Sequence, residues 1–236
     1  MKNDDLLDGK LDDWFYRVKA LRPRLEPLAY EPVKRWVWLK GLMNPLDPEP
    51  WHAQRAGLPT AKLLPKAPRR SLAARKGTFE CGLDAEGRLC VQIEHWGGKE
   101  PYLNLYFHLP GRIRYVRYGT DRYLWRPPVA VFELTLDKRG RVVRRENYGN
   151  LATWPDREPL TAADVKALKK APPPNISHYR VNFGWDGDRL VKSDDGVFYD
   201  YEDGELVRIW REGVKGRPEV RWIKGRTPWP FPLPPR

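Results

Sequence analysis

Histidine, cysteine, serine and carboxylate are the side chains here that could carry out catalysis, and their spacing argues against most of it. The histidines are His52, His95, His108 and His178. No two stand within five residues of each other, and neither Cys81 nor Cys90 lies at ligand spacing from them, so no metal site is expected. Ser71, Ser177 and Ser193 are the only serines, and none occupies a Gly-x-Ser-x-Gly elbow. No glycine-rich phosphate loop precedes a helix, and no nucleotide or other cofactor is expected. Asp194, Asp195, Asp200, Glu202 and Asp203 crowd together, and Asp200 and Glu202 would share a strand face, as an acid–base pair or cation site would require. Turn chemistry already calls for Asp at 194, 195 and 203, so we read the cluster as structural. A nuclease-type Glu-x-Lys triplet is absent. The reading leans away from an enzyme.

Arginine and aromatic side chains point elsewhere. With a turn at Gly119-Thr120, residues 112–126 form a hairpin in which Arg117 opposes Arg122, Tyr115 opposes Leu124 and Ile113 opposes Arg126, while Arg114 opposes Trp125 and Val116 opposes Tyr123. Facing like charges cost stability unless an anion lies between them. Arginine interleaved with aromatics on a sheet is also how strands contact phosphate and stack on bases. Arg112, Arg114, Arg117, Arg122, Trp125 and Arg126 are therefore candidate polyanion-binding residues. Charge distribution supplies a second half of the site. The net charge is +12, and from Pro50 to Phe79 no acidic residue occurs among seven positive ones, Arg55, Lys62, Lys66, Arg69, Arg70, Arg75 and Lys76. We expect Lys66, Arg69, Arg70, Arg75 and Lys76 to attract the polyanion from a basic arm.

The elements that must position these residues are mainly hairpins. Asp84-Ala85-Glu86-Gly87-Arg88-Leu89 and Asp137-Lys138-Arg139-Gly140-Arg141-Val142 are matching turns, and Asp186-Gly187, Asp194-Asp195-Gly196 and Asp203-Gly204 are shorter ones. The two longer turns resemble the tyrosine–aspartate repeats of large bacterial toxin shells. That resemblance is confined to 84–89 and 137–142, and no family is assigned from it. Strands are expected near 78–83, 88–95, 102–108, 112–118, 122–126, 129–136, 141–147, 178–185, 188–193, 197–202, 205–211 and 218–224. Bulged turns are expected at Gly87 and Gly140 and tighter ones at Gly187 and Gly204. A Gly87 bulge would set Cys81 opposite Val91 and leave both thiols free.

The fold class expected is mainly β, a large bent antiparallel meander forming an open sheet or incomplete barrel. Its helical additions are an N-terminal helical region over 1–57 and a helix inserted at 162–170. In the first region, Leu7, Leu11, Trp14, Phe15, Val18 and Leu21 predict a helix over 5–22 that Pro23 ends. A second helix is expected around 33–43 and a third from Asp47 to Gly57. Residues 58–77 form the basic arm, 78–224 the β domain and 225–236 a proline-rich extended tail. In that tail Trp229, Phe231 and Leu233 either cover the domain's own surface or dock into a partner. Few glutamines, cysteines and methionines among many arginines and prolines fit a thermophile's protein. The chain shows no signal peptide and no long apolar run, so a cytoplasmic protein without a membrane span is expected.

These readings order the functions. First comes a binding protein for nucleic acid or another polyanion. Second is a protein-interaction module, a neutraliser or assembly partner of a bacterial or phage system with an acidic partner. Third is a carrier of lipid or a small ligand.

Overall fold

A computed structural model describes residues 6–55, 59–69, 71–96, 101–119, 129–150, 176–213 and 217–224, with 166 and 170. The expected strand 122–126, the inserted helix apart from 166 and 170, and the tail with Trp229, Phe231 and Leu233 lie outside the described residues.

The chain is mostly β, as expected: the described residues form thirteen strands of one open sheet. They are β1 (Arg35–Lys40), β2 (Lys62–Leu64), β3 (Thr78–Leu83), β4 (Leu89–His95), β5 (Tyr102–Leu109), β6 (Arg112–Tyr118) and β7 (Val129–Leu136). They continue as β8 (Val142–Asn150), β9 (Ile176–Asp186), β10 (Arg189–Ser193), β11 (Val197–Glu202), β12 (Glu205–Glu212) and β13 (Pro218–Ile223). Helices among the described residues include α1 (Leu11–Tyr30), α2 (His52–Arg55) and α3 (Leu72–Arg75). The order β13-β12-β11-β10-β9-β8-β7-β6-β5-β4-β3-β1-β2 is a meander from β3 onward, with β1 laid beside β3 out of sequence. No described helix is long and apolar enough to cross a membrane. Two compact units divide the chain: Met1–Lys40 with Leu63–Arg180, and Gly41–Lys62 with Val181–Arg236.

The hairpin chemistry works as its residues dictate. Gly87 and Gly140 adopt φ of +80° and +76°, the left-handed conformation that closes a type I turn with a bulge. Asp186 pairs with Arg189, and Glu202 with Glu205, so the turns at Gly187 and Gly204 are two-residue loops. At the first hairpin the register departs from expectation by one residue. Cys81 pairs with Gln92 and Gly82 with Val91, while Leu83 pairs with Leu89, leaving Cys90 as the extra residue of the bulge. Both cysteines are buried, and no disulfide joins them.

In the first unit, α1 lies on one sheet face. Leu11, Trp14, Phe15, Val18, Leu25 and Ala29 pack against Val91, Leu105, Phe107, Val116 and Val131. The helix does not end at Pro23; it runs on through Pro23 and Pro27 to Tyr30. Each proline removes one intrahelical hydrogen bond, at a cost of about 3 kcal/mol. Both prolines are exposed, and Leu25 and Ala29 beyond them are buried. Burial of that last stretch holds the helix together.

The expected second helix is strand β1. Val33, Trp36, Val37 and Lys40 satisfy helical spacing, yet Arg35–Lys40 is rich in Trp and Val, which fit a pleated surface. All six of its residues pair with β3, from Arg35 opposite Leu83 to Lys40 opposite Thr78. Of the third expected helix the described residues show the four of α2, and the arm expected over 58–77 holds β2 and α3.

Candidate functional site

Strand alternation separates the three described arginines of β6. Arg112 and Arg114 point toward α1 and Arg117 toward the opposite face. Both sides of β6 are occupied, by β5 and by β7. Arg117 therefore has Asn104 and Ala130 as ladder partners, and Arg114 has Phe107 and Glu133, instead of the partners expected at 122 and 125. Residues Arg122, Trp125 and Arg126 lie outside the described ones.

Arg114 is only 1% exposed and is held inside the protein. Its Nε donates to Glu133 Oε2 at 2.7 Å, Nη1 donates to the Leu7 carbonyl, and Nη2 donates to the Gly9 carbonyl at 2.6 Å. Its guanidinium lies 5.7 Å from the Trp14 ring centre. Burial pulls its pKa down while Glu133 pushes it up, and the balance is a value below the ordinary one for arginine. Arg112 meets Asp8 at 3.4 Å and Glu133 at 3.7 Å. These two arginines clasp the N-terminal segment to the sheet.

Arg117 belongs to a buried polar cluster that sequence reasoning missed. Its Nη2 donates to Glu94 Oε1 at 3.0 Å and its Nε to Asn104 Oδ1 at 2.9 Å. Glu94 also accepts from Asn104 Nδ2 at 2.8 Å and Trp96 Nε1 at 2.7 Å. The Tyr106 hydroxyl donates to Gln92 Oε1 at 2.8 Å. Tyr106, Tyr115 and Phe132 stack in series at 4.8 Å and 4.2 Å. The polar residues come from alternate positions of β4, β5 and β6, so strand period was the signal that could have found them. Charge is balanced within the cluster, as burial demands.

Asp194, Asp195 and Asp200 are likewise engaged. Asp194 accepts from the Asn182 amide at 2.8 Å. Asp195 binds Arg55 at 2.6 Å, and Arg55 in turn donates to Ser193 Oγ at 3.0 Å and the Tyr199 hydroxyl at 2.7 Å. Asp200 accepts from Arg208 Nε at 2.6 Å and Trp210 Nε1 at 3.1 Å. Asp203 sits at φ +48° in its two-residue loop. Among the described residues no group of three His, Cys, Asp or Glu could hold a metal ion.

A different pattern holds beside β1, within the first unit. Lys34, Arg35, Lys40, Lys66, Arg69, Arg75 and Lys76 make no ion pair with any described residue. In contrast, Arg88, Arg112, Arg114, Arg117, Arg141 and Arg180 each have a carboxylate partner. Of the arm residues singled out from sequence, Lys66, Arg69 and Lys76 are exposed and Arg75 is half-buried, while Arg70 lies outside the described residues.

Aromatic rings accompany these cations. Alternation puts Trp36, Trp38 and Lys40 on one side of β1, the side facing the end of α1. The Lys34 amide donates to the Leu83 carbonyl at 2.8 Å, extending the ladder one residue further. Trp36 is 40% exposed and Tyr30, the last residue of α1, 38%. Their ring centres are 5.9 Å apart and their planes tilted by 41°. Gly82 makes room for this pair: a Cβ there would stand 3.1 Å from Trp36 and from both Val33 methyls. Next along the strand, Trp38 is buried under His95, stacked at 5.8 Å, and Arg75, whose guanidinium lies 5.1 Å from the ring centre. Lys40 Nζ donates to the Lys76 carbonyl, and the Gly77 amide donates to the His95 carbonyl at 2.5 Å. These bonds tie the end of the arm to the sheet. Glu26 and Glu80 are carboxylates of this neighbourhood, Glu80 lying opposite Trp38 and 3.8 Å from His95 Nε2. Burial first, and then the charges of Glu26 and Glu80, push the Tyr30 hydroxyl above its ordinary pKa, so it is neutral at physiological pH.

No family model matches the chain, and neither the curated proteins nor the solved structures contain a match to it.

Proposed function

We propose that the protein binds nucleic acid or a similar polyanion through the β1 stripe and the basic arm beside it. The observation that carries this reading is the segregation of charge. Arg88, Arg112, Arg114, Arg117 and Arg141, on the strands from β4 to β8 or in the turns that open them, have carboxylate partners, whereas the cations of residues 34–40 and 66–76 have none among the described residues. Cations left without internal partners attract phosphate through counterion release. The footprint differs from the one read from sequence, because Arg112, Arg114 and Arg117 are occupied by Glu133, Asp8 and Glu94. The carrier reading needs an unfilled concavity, and on the face opposite α1 the stacked rings of Tyr106, Tyr115 and Phe132 give it no support.

The test is equilibrium binding to DNA and RNA across a salt series. Affinity should fall steeply with salt, with a slope near −0.7 to −0.9 per phosphate contacted. Replacing Lys66, Arg69 and Lys76 together by Glu should weaken binding at least tenfold and flatten the slope by about one per lost contact. The paired Arg208→Gln should leave both unchanged. Absence of binding to DNA and RNA at low ionic strength ends the proposal.

A further inference from the structure

Resting on that polyanion reading, we infer that the ligand is single-stranded nucleic acid, its bases stacking on Trp36 and Tyr30. Large aromatic rings are ordinarily sheltered, yet these two are exposed side by side. Both are fixed from below. Trp36 rests over Gly82 beside Val33, and Tyr30 follows Ala29, which is 1% exposed in the core. The 41° tilt keeps the rings from stacking flat on each other, so each keeps a π-face for another ring. Cations bracket them along the chain, Lys34 just before the strand and Lys40 at its end, with Arg75 and Lys76 alongside Trp38 and Lys40. A fixed aromatic platform within a cationic track is the arrangement that holds single strands irrespective of sequence. A duplex satisfies the track alone, because its base faces are covered by their neighbours. A single strand offers phosphates to the cations and open base faces to the rings.

The full-length chain should be titrated with a fluorescent 20-nucleotide single strand and the same sequence as a duplex, at matched salt. The single strand should bind about tenfold more tightly. Trp36→Ala should weaken single-strand binding by roughly tenfold and duplex binding little, because one stacked base is worth about that factor. Trp36→Phe should restore most of the loss, and both variants should keep the wild-type circular dichroism. Equal affinity for strand and duplex, or single-strand binding indifferent to Trp36→Ala, overturns the stacking inference while salt-dependent binding upholds the polyanion reading. No binding of either at low salt overturns that reading itself, and this inference with it.

Discussion

Asp84 holds Arg88 at two points: Oδ1 accepts the Arg88 amide at 2.8 Å, and Oδ2 accepts its Nε at 2.6 Å. The hairpin at Asp137 repeats this with Arg141, at 3.0 Å and 2.7 Å. Each carboxylate closes its own turn and anchors the arginine that starts the returning strand. The shared spacing of Asp, Gly and Arg in the two turns is therefore a folding device, independent of any ligand.

That device makes the fold acid-sensitive. Burial raises the Asp84 pKa, but the side-chain and backbone bonds from Arg88 outweigh it and hold it below the ordinary value. Bonds from Arg141 do the same for Asp137. The unfolded chain thus takes up protons at a higher pH than the folded one. The stabilisation is complete above about pH 4, where an unfolded Asp titrates, and is lost as pH falls through the lower folded values. Urea midpoints measured from pH 6 down to pH 2 should decline, and Asp84→Asn should flatten that decline while lowering the midpoint at pH 6. An unchanged acid limb in Asp84→Asn would exclude this origin.

Removing one partner of the Arg114–Glu133 pair should be severe. Glu133→Ala leaves a buried guanidinium without its carboxylate, which costs about 3–5 kcal/mol. The double variant Arg114→Met, Glu133→Met should recover a large part of the loss. Chemical denaturation of the two variants checks this, and equal losses in both would contradict it.

Gly82→Ala should displace Trp36 and Val33, since the added methyl meets both at 3.1 Å. Overpacking of this kind costs about 1–3 kcal/mol. The melting temperature should fall and the Trp36 indole resonance should shift. An unshifted indole resonance would mean that the ring does not rest on residue 82.

The thiols should be unreactive in the folded protein. Cys81 is 0% exposed and Cys90 2%, and burial raises the Cys90 pKa. A thiol reagent at neutral pH should label neither cysteine natively and both in guanidinium. Rapid native labelling at either position would contradict the packing.

Hairpins could be read from sequence because their causes are local. Aspartate and glycine at fixed offsets set the turns, and the strand limits followed from them within a few residues. Elements governed by distant contacts could not be read this way. Pro23 is a helix breaker by every local rule, but Leu25 and Ala29 find the sheet beyond it. Residues 33–40 suit either period, and the free edge of β3 decides for a strand. The partners of Arg114 and Arg117 depend on which strands flank β6, so the expected hairpin misplaced them. In the candidate site, the basic arm was legible from charge alone. Trp36 and Tyr30 were not, because their pairing depends on the chain reaching Tyr30 as helix and returning as strand.

β1 enters the sheet out of sequence, between β3 and β2, while the strands after it join their neighbours in chain order. Its ladder with β3 closes only after the chain has travelled from Lys40 to Thr78. Non-local closure of this kind should let β1 open before the meander does. Backbone amides of Arg35–Lys40 should exchange with solvent sooner than those of β5, β6 and β7. The molecule would then shed Trp36, Lys40 and their proposed ligand by a local excursion while the rest of its sheet stays folded. Occupancy by that ligand would in turn slow the exchange.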